Sequence, residues 1–381
     1  MQPTQLIERF SDPQKYKRTD VVEVLVDHRA IPELIDALEH ANYLCRCGAA
    51  YTLGVIGDKQ ALEPLLNALN DNSRDVRHDV ISALDNLNDP RAVVPLIRAL
   101  SDDDELVRTE AAHVLGKLGD KRAMIPLIGK LNDSSINVLS QVIGALAKIG
   151  DQSAIPPLQD MLRHRSDIVR AAALHALSKI AGQQAIAAIV RHLHTDPHYH
   201  VRAQAARALA NIHHPRVPDV LQDVLLNEKD SIVCTYAAEA LGEIRDPNTI
   251  PALIEAIVPS NKLNAFTLDS VRVTLHKFGA VAVDPLIDAL SSAIDVGGQF
   301  YISRILAPIG SPAVPVIIDA LDYPDKQVRL ALIFVLDEIG DKRAIESLEE
   351  LANHDPDPDV RHLAEAAIES LSGGAASSAG R

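Results

Sequence analysis

Two rows of side chains, each stepping by roughly 31 residues, carry groups that a packed core does not need. One row reads Tyr51, Ser82, His113, Gly144, His175, Arg207, Glu239, Val273, Arg304 and Phe334. The other lies three residues earlier and reads Gly48, Asp79, Glu110, Gln141, Ala172, Gln204, Tyr236, Ser270, Tyr301 and Ala331. Core positions of the same segments stay Ala, Leu or Ile, so the variable residues are free of packing duty and available for binding. A guanidinium fork such as that of Arg207 or Arg304 matches a carboxylate through two parallel hydrogen bonds. Glu239, Asp79 and Glu110 can supply an acid. Tyr236, Phe300 and Tyr301 can stack on planar rings, and His113 and His175 add imidazoles to the same surface.

Two further constellations stand apart. Cys45-Arg46-Cys47 is a pair that could hold a soft metal, although it lacks the four ligands of a structural zinc site. Cys45 takes the place of a valine in the repeating pattern, which predicts burial. Cys47 matches Thr109, which predicts exposure beside the binding surface. Separately, His192, His194, His198, His200, His213 and His214 place six of the 15 histidines in 23 residues. His192-Leu-His194 and His198-Tyr-His200 bracket one turn, but their spacing fits no metal motif and no carboxylate cluster completes a shell. They are expected as solvent-exposed turn residues, and no metal is expected. No glycine-rich phosphate loop, nucleophile elbow or Ser/His/Asp arrangement is present.

The elements that position these rows follow from a recurring proline: Pro32, Pro64, Pro95, Pro126, Pro157, then Ala188 as a substitute, then Pro218, Pro251, Pro285, Pro315 and finally Glu346. A fixed period of this length predicts stacked helical repeats. In residues 89–119, Asp89-Pro90 starts a first helix with Pro95 in its opening turn, where a missing N–H costs least. Ser101 to Asp104 make a turn, and a second helix runs from near Val107-Arg108 through Ala111, Ala112, Leu115 and Leu118. Gly119 sits at the expected left-handed C-cap, and Asp120 opens the next repeat. The Val-Arg pair recurs as Val76-Arg77, Val169-Arg170, Val201-Arg202, Val328-Arg329 and Val360-Arg361, and the closing Gly-Asp as Gly57-Asp58, Gly150-Asp151 and Gly340-Asp341. An arginine copied into most repeats is expected to bond loop carboxylates of a neighbouring repeat, not to catalyse.

The predicted fold is all-α: a right-handed α-solenoid of ten or eleven helical hairpins. Residues 1–29 form an N-terminal cap, 30–371 the repeats and 372–381 a disordered tail. Second helices of each pair are expected to line the inner face. The period slips in two places. Val271-Arg272 is four residues out of register, and Gly297-Gly298-Gln299-Phe300-Tyr301 replaces the motif, its glycines expected in a turn between helices.

Composition agrees with a repeat array: 47 % hydrophobic, 3 % aromatic and no tryptophan. The formal charge of −15 repels phosphates, which argues against a nucleic-acid partner. Three cysteines cannot build a disulfide framework. The start Met1-Gln2-Pro3 shows neither the basic nor the apolar region of a signal peptide, so none is expected, and no apolar run approaches the roughly 20 residues of a membrane span. A soluble cytoplasmic protein is expected.

Asp89-Pro-Arg-Ala-Val-Val-Pro-Leu-Ile-Arg-Ala-Leu100 and Val107-Arg-Thr-Glu-Ala-Ala-His-Val-Leu-Gly-Lys-Leu-Gly-Asp120 resemble the HEAT-like repeats of the phycobilisome (phycobilin) lyases, E/F type, over nearly the whole chain. The resemblance implies attachment of a linear tetrapyrrole, a bilin, to a phycobiliprotein cysteine. On that reading Arg207 and Arg304 pair with bilin propionates, one of Glu239, Asp79 or Glu110 supplies an acid near the pyrrole nitrogens, and Tyr236, Phe300 and Tyr301 stack on the rings. Cys45 and Cys47 could hold the tetrapyrrole transiently. The nucleophilic sulfur would come from the acceptor, with a second lyase subunit as a further partner. The same repeat also builds non-enzymatic scaffolds, and a groove for another protein is the alternative. Deoxyhypusine hydroxylase, another HEAT-repeat protein, is marked by His-Glu dipeptides, and this chain has none.

Overall fold

Six of the repeats open where an aspartate carboxylate catches a backbone amide. Asp89 accepts from the Arg91 amide at 3.0 Å and starts the 3-10 turn Pro90–Ala92, which runs into the short helix Val93–Ala99. The same device recurs at Asp58, Asp120, Asp151, Asp246 and Asp341. Pro95 falls within the first turn, where backbone N–H groups have no intrahelical acceptor. After a loop, Asp104 accepts from the Leu106 amide at 2.9 Å and caps the long helix Glu105–Leu118. Gly119 closes that helix at φ 68°, a left-handed conformation that strains any residue with a Cβ.

The computed structural model describes residues 2–12, 19–257, 264–292 and 296–373. Among the described residues eleven short–long helix pairs follow one another from Ile31 to Ser372, with no strand, so the chain is an all-α solenoid. By packing it divides into two bodies, Met1–Ala188 and Ile189–Arg381. No helix is long and apolar enough to cross a membrane, among the described residues.

Within each body the long helices pack directly on one another, and the short helices back them. Val93 and Leu96 of a short helix are buried with Val107, Ala111, Val114 and Leu115 of its long partner. Each buried leucine contributes about 1.5–3 kcal/mol. Small residues set the closest approaches. A Cβ on Gly54 would lie 2.6 Å from the Ala83 Cα, and one on Gly116 would lie 2.6 Å from the Ala145 Cα.

The recurring arginine is a staple between repeats. Arg77 donates from Nε and Nη2 to the Asp102 carboxylate, both at 2.7 Å, while its Nη1 donates to the Asp71 carbonyl. Arg46 reaches Asp71, Arg108 reaches Asp133, Arg202 reaches Glu228 and Arg329 reaches Asp355 in the same way. Each carboxylate also accepts an amide of its own loop, as Asp102 does from Asp104. Hydrogen bonding to Asp102 raises the Arg77 pKa, and the Asp133 carboxyl lies below its usual range through its bonds to Arg108 and the Ser135 amide, which outweigh its desolvation. The staple is missing where another residue replaces the arginine, at Leu139, Cys234 and Leu268. Leu139 stands where the arginine belongs, and His164 stands where its carboxylate would be, accepting the Ser166 amide on Nδ1 at 3.1 Å.

The irregular repeats differ from expectation in one respect. Gly297-Gly298 does not form an inter-helix turn: both residues lie in the helix Val296–Leu306. The register slip at Arg272 is real. Thr267 and Leu268 occupy the Val-Arg register in the helix Ala265–Phe278, and Arg272 pairs with Asp269 of its own helix at 2.6 Å. The tail from Gly374 onward lies outside the described residues.

Candidate functional site

The two variable rows lie on the long helices, where the ladder of caps and staples fixes their rotation. In the first body, His113 is half-buried with Nδ1 3.4 Å from the Gln141 Oε1, Glu110 is half-buried, and His175 is exposed. Asp79 is only 4 % exposed, with the His78 ring 3.7 Å from its carboxylate, so it faces packing more than solvent. In the second body, Arg207 and Glu239 are exposed and Tyr236 is half-buried.

Phe300, Tyr301 and Arg304 are brought together. They line a half-open cavity of about 340 Å³ between the helices Ala265–Phe278 and Val296–Leu306. Ile257, Ala265, Leu268 and Ile305 supply apolar walls, and Asp269 and Arg272 supply charge. The Phe300 and Tyr301 rings meet edge to face at 6.4 Å, and the Arg304 guanidinium lies 5.7 Å from the Phe300 centroid. This cation–π contact holds the guanidinium on the cavity wall while leaving its N–H groups to a ligand. Phe300 stays 52 % exposed. Arg207, Glu239 and Tyr236 are not among the lining residues. The sequence rows missed Asp269 and Arg272, whose signal was the register slip itself.

The cysteines do not take part. All three are buried thiols outside any disulfide. Cys47, expected at the surface, is 1 % exposed, because the N-terminal segment packs across the helix Tyr43–Ile56 and the Phe10 ring fills the space that Gly48 leaves open. Burial, aided by Glu8, raises the Cys45 pKa. Burial, aided by Glu228 and Asp230, pushes Cys234 up to about 11. Neither thiol is poised as a thiolate.

Glu8, His40 and Cys45 place one potential ligand atom each within 4.8 Å of one another. His40 Nδ1 accepts the Asn42 amide at 3.0 Å, so in the neutral ring the proton stays on Nε2, which points at Glu8 at 3.4 Å. A metal-binding histidine ordinarily donates through its second nitrogen, and this one accepts. Of the histidine-rich stretch, His194, His198, His200 and His213 are exposed, His192 contacts Asp196 at 3.2 Å, and His198 stacks on Tyr199.

The profile of the HEAT-repeat family, described as HEAT repeats, matches residues 3–85, 62–130, 126–203, 188–263 and 283–369. The chain belongs to that family. No curated protein sequence matches it. Among solved structures, it is similar to an engineered protein of the Northeast Structural Genomics Consortium, at 21 % identity and TM-score 0.40, covering 90 % of this chain and 98 % of that one. The complex of CpcE and CpcF of phycocyanin lyase from Nostoc sp. is similar at 23 % identity and TM-score 0.35, covering 69 % and 94 %. Human deoxyhypusine hydroxylase in complex with glycerol is similar at 22 % identity and TM-score 0.30, covering 68 % and 98 %.

Proposed function

We propose that this HEAT-repeat chain is a binding scaffold whose cavity between Ala265–Phe278 and Val296–Leu306 holds a flat, largely apolar ligand bearing carboxylates, and that the ligand is a linear tetrapyrrole bound for a phycobiliprotein cysteine. The observation that carries this reading is the convergence of two aromatic rings, an aliphatic wall and two guanidinium groups on one half-open cavity. At about 340 Å³ the cavity stands at the small end of ligand sites. It grips one end of an extended molecule and leaves the other accessible to an acceptor protein. Tyr301 and Phe300 face the rings, Arg304 takes a propionate as a bidentate partner, and Arg272 shares its charge with Asp269, the nearest acid to a bound pyrrole. The buried cysteines of the chain offer no competing thiol, so the sulfur of the new thioether comes from the acceptor. A phycobiliprotein subunit is therefore the protein partner, with a second lyase subunit compatible with the same arrangement.

Co-expression in a bilin-producing host tests this directly. A purified protein with a visible absorbance band, lost in Arg304→Ala and Tyr301→Ala variants of unchanged helicity, is the expected result. A colourless, well-folded wild type overturns the tetrapyrrole reading and leaves a scaffold for protein partners, for which co-purification with a cavity-dependent partner is then the measurement.

A further inference from the structure

One helical turn beyond the exposed row, five successive long helices of the first body carry Val55, Asn86, Lys117, Lys148 and Lys179. Lysine thus appears three times in succession on one stripe of a chain whose formal charge is −15. Lys117 leans back over the preceding helix and donates to the Asp85 carboxylate at 2.9 Å. Lys148 leans the same way, its Cδ 3.5 Å from where a Cβ on Gly116 would lie. The residue corresponding to Asp85 is Gly116 for Lys148 and Ala147 for Lys179. The repeat keeps the cation and deletes its anion. Both lysines are exposed, and neither has an ion-pair partner among the described residues. His113 and His175 stand one turn before Lys117 and Lys179, and between them Gly144 faces open space.

We propose that Lys117, Lys148 and Lys179 form a docking strip for an acidic peptide segment of a partner protein. Neighbouring packed helices stand about 8–10 Å apart, which a polyproline II segment, rising about 3.1 Å per residue with three residues per turn, spans in one turn while keeping every third side chain on one face. A segment with a carboxylate at every third position therefore meets one lysine per repeat, its backbone crossing the gap at Gly144. Charge selects a short segment over a long polyanion. Asp85 and Glu110, the latter two turns before Lys117 on the same helix, flank the strip and repel phosphates that extend past the lysines. The strip lies in the first body and the cavity in the second, so either assignment survives failure of the other.

The test uses the full chain and a fluorescein-labelled peptide of about a dozen residues, glutamate at every third position and glycine or serine between, followed by fluorescence anisotropy. Binding that weakens with added salt and falls roughly tenfold in the Lys148→Gln/Lys179→Gln double variant is the expected result. Gly144→Glu should abolish it and Gly144→Gln retain it. Neither overpacks the helix, since nothing lies within 4 Å of the new Cβ. Wild-type binding no tighter than to the glutamine version of the peptide overturns the proposal, as does equal binding by the lysine variant. A single-stranded oligonucleotide of the same charge that binds as tightly at the same lysines overturns the peptide assignment in favour of nucleic acid.

Discussion

Replacing Arg329 by leucine removes the best-buried staple of the ladder. Arg329 and Asp355 are 9 % and 2 % exposed, and the guanidinium makes two bonds to the carboxylate, at 2.8 and 3.0 Å, and two to the Tyr323 and Pro324 carbonyls. Without it, Asp355 keeps only the Asp357 amide at 2.9 Å, a buried charge with one donor. Breaking a buried pair from one side costs about 3–5 kcal/mol. The exposed Arg74–Asp104 pair, with Arg74 at 66 % exposure, should cost less than about 1 kcal/mol. The chain already contains an apolar version of the joint, in Leu139 and His164. Copying it as Arg329→Leu/Asp355→His removes the stranded charge and keeps an acceptor for the Asp357 amide. The double variant should recover about 1–3 kcal/mol relative to the single one. Urea unfolding followed by circular dichroism measures the total. Hydrogen exchange across Ile345–His354 and Pro358–Ser372 shows whether the loss is local, as nearest-neighbour coupling requires. A single variant that loses less than about 1 kcal/mol, or a double no better than the single, refutes the reasoning.

Other outcomes follow from the same geometry. Gly116→Val should destabilise by about 1–3 kcal/mol through collision with Ala145, whereas Gly144→Ala, with open space around it, should stabilise by about 0.5–1 kcal/mol; thermal melts of both decide it. The Arg91 guanidinium and amide hold the Asp89 carboxyl down to about 2. A carboxyl lower in the folded than in the unfolded chain stabilises above its ordinary range and loses that contribution as pH falls from about 4 toward about 2, so the melting temperature of Asp89→Asn should fall less over that interval than that of the wild type. A thiol reagent at mild alkaline pH should label none of the three buried cysteines rapidly in the native protein and all three in urea; fast native labelling of Cys47 would contradict its burial.

What the sequence disclosed is whatever depends on neighbours along the chain or on the repeat period. The Asp89 turn, the Asp104 cap and the Gly119 terminus are local devices, so residue type and spacing sufficed to place them. The arginine staple was legible because copying excluded a unique chemical role, and its partner carboxylate lies 25 residues on in the regular repeats. The cavity was only half legible. Phe300, Tyr301 and Arg304 stood out as departures from the pattern, but Asp269 and Arg272 reach it only because the helix Ala265–Phe278 is rotated out of the common register. Burial of Cys47 depends on Phe10 and the N-terminal segment, which carry no repeat to compare with. The lysine strip was present at the repeat spacing all along, hidden because each lysine alone is an ordinary surface residue.

The close approaches at Gly54 and Gly116 bear on how such a chain can change its length. The staple is generic: any repeat with the arginine can join any repeat with the loop carboxylate, so it cannot tell one neighbour from another. The notch can. Gly116 receives the backbone at Ala145, Gly54 receives Ala83, and a Cβ on Gly242 would meet the Thr274 side chain. A repeat copied or moved along the array brings its own fastening but not the matching surface of the repeat it left. These keyed joints sort neighbours by size, since a repeat presenting Ala83 or Ala145 fits a glycine notch and a bulkier one does not, so an array free to recombine at its staples is restricted at its notches.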